Sequence, residues 1–133
     1  ILSLMIVRKL PKSTKIHHTS VLFLSIVNSL TNYETPCHWR GIVLYAFFSC
    51  YTYLVNTYLG SRLILDKKNS KLLCGIALYI YVIICFLNWA YQFCNYCFWI
   101  LNKITIGLFI NMFLIGMVIY DDLILIKFLR ENS

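Results

Sequence analysis

Two adjacent histidines, His17 and His18, open an apolar run in the stretch Lys15-Ile-His-His-Thr-Ser-Val-Leu-Phe-Leu24. Imidazole changes charge near neutral pH, so such a pair can work as general acid and base, or one ring can orient the other. Consecutive helical residues point about 100° apart, which prevents both rings from closing one tight metal site but lets them line one cavity. A plainer reading competes: an interfacial pair that snorkels to lipid headgroups beside Lys15. If the chain catalyses, the candidate acid/base residues are His17 and His18, with Asp122 as orienting partner.

Other polar residues recur at helical spacing within apolar surroundings. Positions 3, 4, 7 and 11 apart share a helix face. Asn28 lies eleven residues after His17, and Ser49 and Asn56 fall in line with Tyr45 and Thr52. Asn88 and Gln92 align with Tyr81, Asn95 and Trp99, and Asn111 precedes Asp122 by eleven. Asn28, Ser49, Asn56, Asn88, Gln92 and Asn111 are therefore the candidate lining of a lipid or substrate pocket. The alternative is helix–helix adhesion, in which each such side chain contributes on the order of 0.6 to 2 kcal/mol. Ser, Thr and Tyr positions suit adhesion, whereas ionisable groups at membrane depth are costly unless used.

The elements that must position these residues follow from composition. Of 133 residues, 60% are hydrophobic and only 13% charged, more apolar surface than a soluble domain of this size can bury. The predicted architecture is all-α: an integral membrane helical bundle with about four spans, at 16–32, 41–65, 72–101 and 104–126. The 30-residue run at 72–101 is long for one span but short for two with a turn, so one tilted or overlong helix is expected. Residues 1–15 read as the end of a preceding span or an N-terminal segment, followed by the basic cytosolic patch Arg8, Lys9, Lys12 and Lys15, and residues 127–133 as a cytosolic tail. The chain is thus expected to be a fragment of a longer multi-span protein.

Basic residues divide unevenly between the ends of the spans. Four lie in 8–15, four in 62–71 (Arg62, Lys67, Lys68, Lys71) and two in the tail (Lys127, Arg130), against only Arg40 and Lys103 opposite. The positive-inside rule puts the crowded side, with both ends of the chain, in the cytosol. The net charge of +7 then needs no nucleic acid, and the basic loops are suited to anionic lipid headgroups.

Six cysteines are present, and five lie within apolar runs where a thiol behaves as a small hydrophobe. Cys94-Asn-Tyr-Cys97 has no second ligand pair, and His38 beside Cys37 is an incomplete set, so no metal site or cofactor is expected. Trp39 and Trp99 suit an interfacial belt on the non-cytosolic side, and Trp89 suits packing within the bundle.

The order of these features resembles the TLC-domain family, named for translocating-chain-associating, longevity-assurance and neuronal-lipofuscinosis proteins. The resemblance covers residues 15 to 130. It rests on His17-His18 opening a helix, Gly41 heading the next, the string Tyr53-Leu-Val-Asn56-Thr-Tyr-Leu-Gly-Ser-Arg62, the Lys67-Lys68-Asn-Ser-Lys71 loop, and Ile119-Tyr-Asp121-Asp122 before Lys127 and Arg130. It implies a multi-pass protein of the endoplasmic reticulum or a related membrane that senses, transports or modifies a lipid. Any enzymatic activity it implies is lipid acyltransferase-like. Ceramide synthases of this family carry paired aspartates in the second span, and residues 41–65 contain no aspartate. The small lipid-regulating members are therefore the closer likeness. Two other classes fit the same composition: a structural subunit of a larger homo- or hetero-oligomeric membrane assembly, and a small channel or transporter.

Overall fold

A computed structural model describes residues 12–32, 34 and 36–133, with side-chain surroundings from residue 15 onward. The expected preceding span and the Arg8/Lys9 patch lie outside the described residues. Among the described residues there are four helices: α1 (Lys12–Leu30), α2 (Arg40–Ser61), α3 (Lys67–Asn102) and α4 (Ile106–Asn132). Among the described residues there is no strand.

Helices α2, α3 and α4 are each long and apolar enough to cross a bilayer, and the chain is a multi-helix membrane protein. Helix α1, 19 residues long, is not among them, because Lys12, Lys15 and the histidine pair dilute its apolar content. Burial runs opposite to that of a soluble protein. Phe86, Phe93 and Phe113 stand on the outer surface, while Asn88, Gln92, Asn111 and Asp122 are buried. A contiguous apolar exterior of this kind needs lipid against it.

The long apolar run forms one uninterrupted helix, α3, of 36 residues. At 1.5 Å per residue it is about 54 Å long, well beyond a hydrocarbon core of roughly 30 Å. It starts at Lys67 rather than 72 because the Asp66 side chain caps it, accepting the Asn69 amide at 3.3 Å. Thr105 caps α4 in the same way, accepting the Leu108 amide at 3.1 Å. Helix α4 continues to Asn132, so the expected tail after 126 is helical, with Arg130 in its last turn. Helix α2 ends at Ser61, short of 65, where the amides of Ile64 and Leu65 both turn back to the Ser61 carbonyl.

In the middle of α2, residues Cys50–Thr52 tighten into a 3-10 turn. Ser49 Oγ donates to the Ala46 carbonyl at 2.7 Å and Thr52 Oγ1 to the Ser49 carbonyl at 2.6 Å. Hydroxyls bonded back onto their own helix in this manner tend to bend it.

Among the described residues, two apolar cores hold the bundle. One joins α2, α3 and α4 through Val55, Tyr58, Cys74, Ala77, Cys85 and Leu129. The other joins α1, α2 and α4 through Leu24, Ile42, Ile115 and Val118. Buried positions on α3 recur as Cys74, Ala77, Tyr81, Cys85, Asn88 and Gln92, the 3.6-residue period of one helix face.

Candidate functional site: a polar-lined cavity within the helix bundle

Along α4, Asp122 falls between Val118 of one core and Leu129 of the other. Its carboxyl group collects three donors from two other helices. Tyr45 of α2 donates to Oδ2 at 2.8 Å, Tyr81 of α3 to Oδ1 at 2.8 Å, and Trp89 Nε1 of α3 to Oδ2 at 3.3 Å. A carboxylate offers about four acceptor sites, so this group is nearly saturated by the protein. Asp122 thus pins α2 and α3 onto α4, a knot of hydrogen bonds at membrane depth.

The adjoining residue, Asp121, meets the histidine pair. His17 Nδ1 lies 3.2 Å from Asp121 Oδ2, with both side chains largely shielded. The contact has the distance of an ion pair but not the alignment of a hydrogen bond, and among the described residues Nδ1 has no other partner. The His17 and His18 rings touch edge to face, 5.4 Å between centroids and 89° between planes. The carboxyl nearest His17 is therefore that of Asp121, whereas the expected orienting residue Asp122 is engaged by Tyr45, Tyr81 and Trp89.

These groups border a cavity of about 820 Å³ between all four helices. Of the residues expected to serve a site, His17, His18, Ser49, Asn56, Asn88 and Asp122 line it. Its walls are mostly aliphatic and aromatic, supplied by side chains such as Leu24, Ile42, Ile84, Ile115 and Phe128. Asp121, Tyr45, Tyr81 and Arg62 line it as well. Asp121 could have been suspected from its position beside Asp122, and Arg62 from its place at the end of the second apolar run. No spacing rule could have joined Tyr45 to Asp122, 77 residues apart.

Gln92 and Asn111 lie outside the lining and hold the far end of the bundle instead. Gln92 Nε2 donates to the Gly41 carbonyl at 2.8 Å. Asn95 Nδ2 and Asn111 Nδ2 both donate to the His38 carbonyl at 3.3 Å, and Tyr96 donates to Asn111 Oδ1 at 3.3 Å. These bonds tie α3 and α4 to backbone carbonyls at the start of α2. Asn28, near the end of α1, is half-buried, and its carbonyl accepts the Thr31 amide. Ser49 is at the cavity wall, yet its hydroxyl proton goes to its own backbone.

At this same end, His38 packs its ring 4.9 Å from Trp39 and 6.1 Å from Trp99, centroid to centroid. A Cβ added to Gly107 would stand 3.3 Å from His38 Nε2, so glycine is what lets α4 approach the ring. Nε2 lies alongside the Gly107 backbone without the alignment of a hydrogen bond. Burial lowers the His38 pKa below its usual 6.5, and the Gly107 backbone offsets part of that effect.

Among the described residues, no three of His, Cys, Asp and Glu gather into a possible metal site, and Cys94 and Cys97 are both exposed free thiols. No family model, no curated protein and no solved structure matches the chain.

Proposed function

We propose that this membrane protein binds a membrane lipid in the cavity bounded by α1, α2, α3 and α4, and senses, moves or modifies it there. One observation carries the reading: a space of about 820 Å³ with mainly apolar walls that His17, His18, Asn56 and Asp121 help to line. Ligand pockets combine apolar walls with a few convergent polar groups in this way, and a space of this volume accepts the upper part of a lipid. The TLC resemblance supports the same class of ligand. It also supports residence in the endoplasmic reticulum or a related membrane, with the basic ends of the helices toward the cytosol.

In this reading the roles divide. Asp122 holds the wall together through Tyr45, Tyr81 and Trp89. His17, backed by Asp121, is the group able to exchange a proton with a bound lipid, and His18 stands beside it. If the lipid is modified, His17 is the acid/base candidate, in an acyltransferase-like reaction.

The test compares lipids that co-purify with the full chain and with its His17→Ala/His18→Ala variant, and the lipidomes of the cells that express each at equal level. The expected result is one lipid class enriched by the wild type and lost or altered in the variant. Identical lipid content for wild type, variant and empty vector would refute the reading and favour a structural subunit. Ion or solute flux in liposomes without lipid retention would favour a channel or transporter.

A further inference from the structure

The cavity has an electrostatic polarity that its apolar walls do not explain. Among the described residues that line it, Arg62 is the one Lys or Arg. It follows the last turn of α2, exposed at the rim, and its guanidinium carbon lies 5.7 Å from the centre of the Phe128 ring, itself part of the cavity wall. A guanidinium over an aromatic face is held by the ring while its N–H edge remains directed outward in its own plane. The carboxyl groups lie deeper. Asp121 is seven residues from Phe128 along α4, about 10 Å at 1.5 Å per residue. They are also occupied, Asp121 by His17 and Asp122 by its three donors.

The surroundings of Arg62 have the same sign. Lys67, Lys68 and Lys71 begin α3, and Lys127 and Arg130 end α4, all at this end of the bundle. The acidic residues here are Asp66, whose oxygens receive the Asn69 amide and side chain, and Glu131. A positive rim, an apolar shaft and a polar group about 10 Å below form the complement of a lipid whose headgroup is anionic.

Resting on the lipid reading above, we infer that the cavity selects an anionic phospholipid, with Arg62 as the residue that receives its phosphate. A guanidinium fork donates to two phosphate oxygens at once, which gives orientation as well as affinity. A zwitterionic headgroup would bring its own cation into the field of Arg62 and the neighbouring lysines. The acyl chains then run down the shaft past His17 and Asp121 toward Ile42 and Ile115.

The experiment uses the purified full chain in detergent, incubated with equal amounts of dioleoyl phosphatidic acid and dioleoyl phosphatidylcholine and read by native mass spectrometry. Wild type is expected to retain phosphatidic acid about tenfold or more over phosphatidylcholine, as a charge-assisted contact warrants. Arg62→Gln is expected to abolish the preference while still retaining lipid. Arg62→Lys, which keeps a point charge but not the fork, is expected to keep part of it and serves as the test if Arg62→Gln does not fold. The Lys67→Gln/Lys68→Gln/Lys71→Gln variant is expected to keep the preference. Loss of preference in this triple variant but not in Arg62→Gln would overturn the inference in favour of surface attraction. Displacement of phosphatidic acid by inorganic phosphate would overturn it in favour of a free-phosphate site. Equal retention of both lipids by wild type would overturn the inference alone, whereas retention of neither would overturn the lipid reading as well.

Discussion

Replacing Asp122 with leucine removes the acceptor for three donors at once and leaves Tyr45, Tyr81 and Trp89 with polar hydrogens inside the bundle. An orphaned buried donor costs about 1–3 kcal/mol. At about 1 kcal/mol each, the low figure suited to membrane interiors, Asp122→Leu costs about 3 kcal/mol. The same substitution in a Tyr45→Phe/Tyr81→Phe background orphans only Trp89 and costs about 1 kcal/mol. The coupling is the difference, about 2 kcal/mol, or roughly a thirtyfold change in the unfolding equilibrium. Reversible unfolding in mixed micelles, followed by tryptophan fluorescence, measures all four corners of the cycle. Trp89 is itself part of the knot, so circular dichroism at 222 nm provides a second, independent signal. An Asp122→Leu cost that is equal in both backgrounds would refute the claim that the hydroxyls depend on this carboxyl group.

Gly41→Ala is expected to destabilise by about 1–3 kcal/mol, the usual range for overpacking, because the new Cβ would stand 2.6 Å from Gln92 Oε1, whose amide is buried and bonded to the Gly41 carbonyl. Gly60→Ala and Gly116→Ala meet nothing within 4 Å and are expected to be neutral or to stabilise by up to about 1 kcal/mol through helix propensity. Unfolding midpoints of the three variants decide between these outcomes. His38 predicts a pH dependence. Its folded-state pKa is lowered, so the unfolded chain takes up the proton first; the stabilisation is complete above about 6.5 and is lost as pH falls through the lowered value. Unfolding midpoints measured from about pH 7.5 to 5 should fall in wild type and fall less in His38→Gln. Asp121→Asn removes the charge facing His17. It is expected to reduce the lipid enrichment given by the wild type in the co-purification assay, with Asp121→Glu retaining more of it.

Much of the bundle was legible in the chain. Aligned polar residues on α3 predicted one buried face, and Tyr81, Asn88 and Gln92 do occupy it. The uneven lysines and arginines predicted which helix ends share a side, and antiparallel α2, α3 and α4 put Lys67 with Lys127, and Arg40 with Lys103. Helix boundaries were less legible. Whether Asp66 caps a helix or sits in a loop depends on its backbone φ and ψ, here −60° and 155°, which hydropathy does not report.

Composition and periodicity determine a membrane bundle with polar stripes turned inward, because bilayer thickness and the 3.6-residue repeat act on any helical sequence alike. Where each stripe leads was decided only on packing. The α3 stripe divides, Asn88 opening onto the cavity and Gln92, one turn farther along, bonding the start of α2. Asp121 and Asp122 are neighbours in the chain, yet a rotation of about 100° sends one to His17 and the other to Tyr45, Tyr81 and Trp89. That rotation is set by how α4 turns about its own axis against three other helices, a quantity belonging to the assembled bundle and to none of its segments alone.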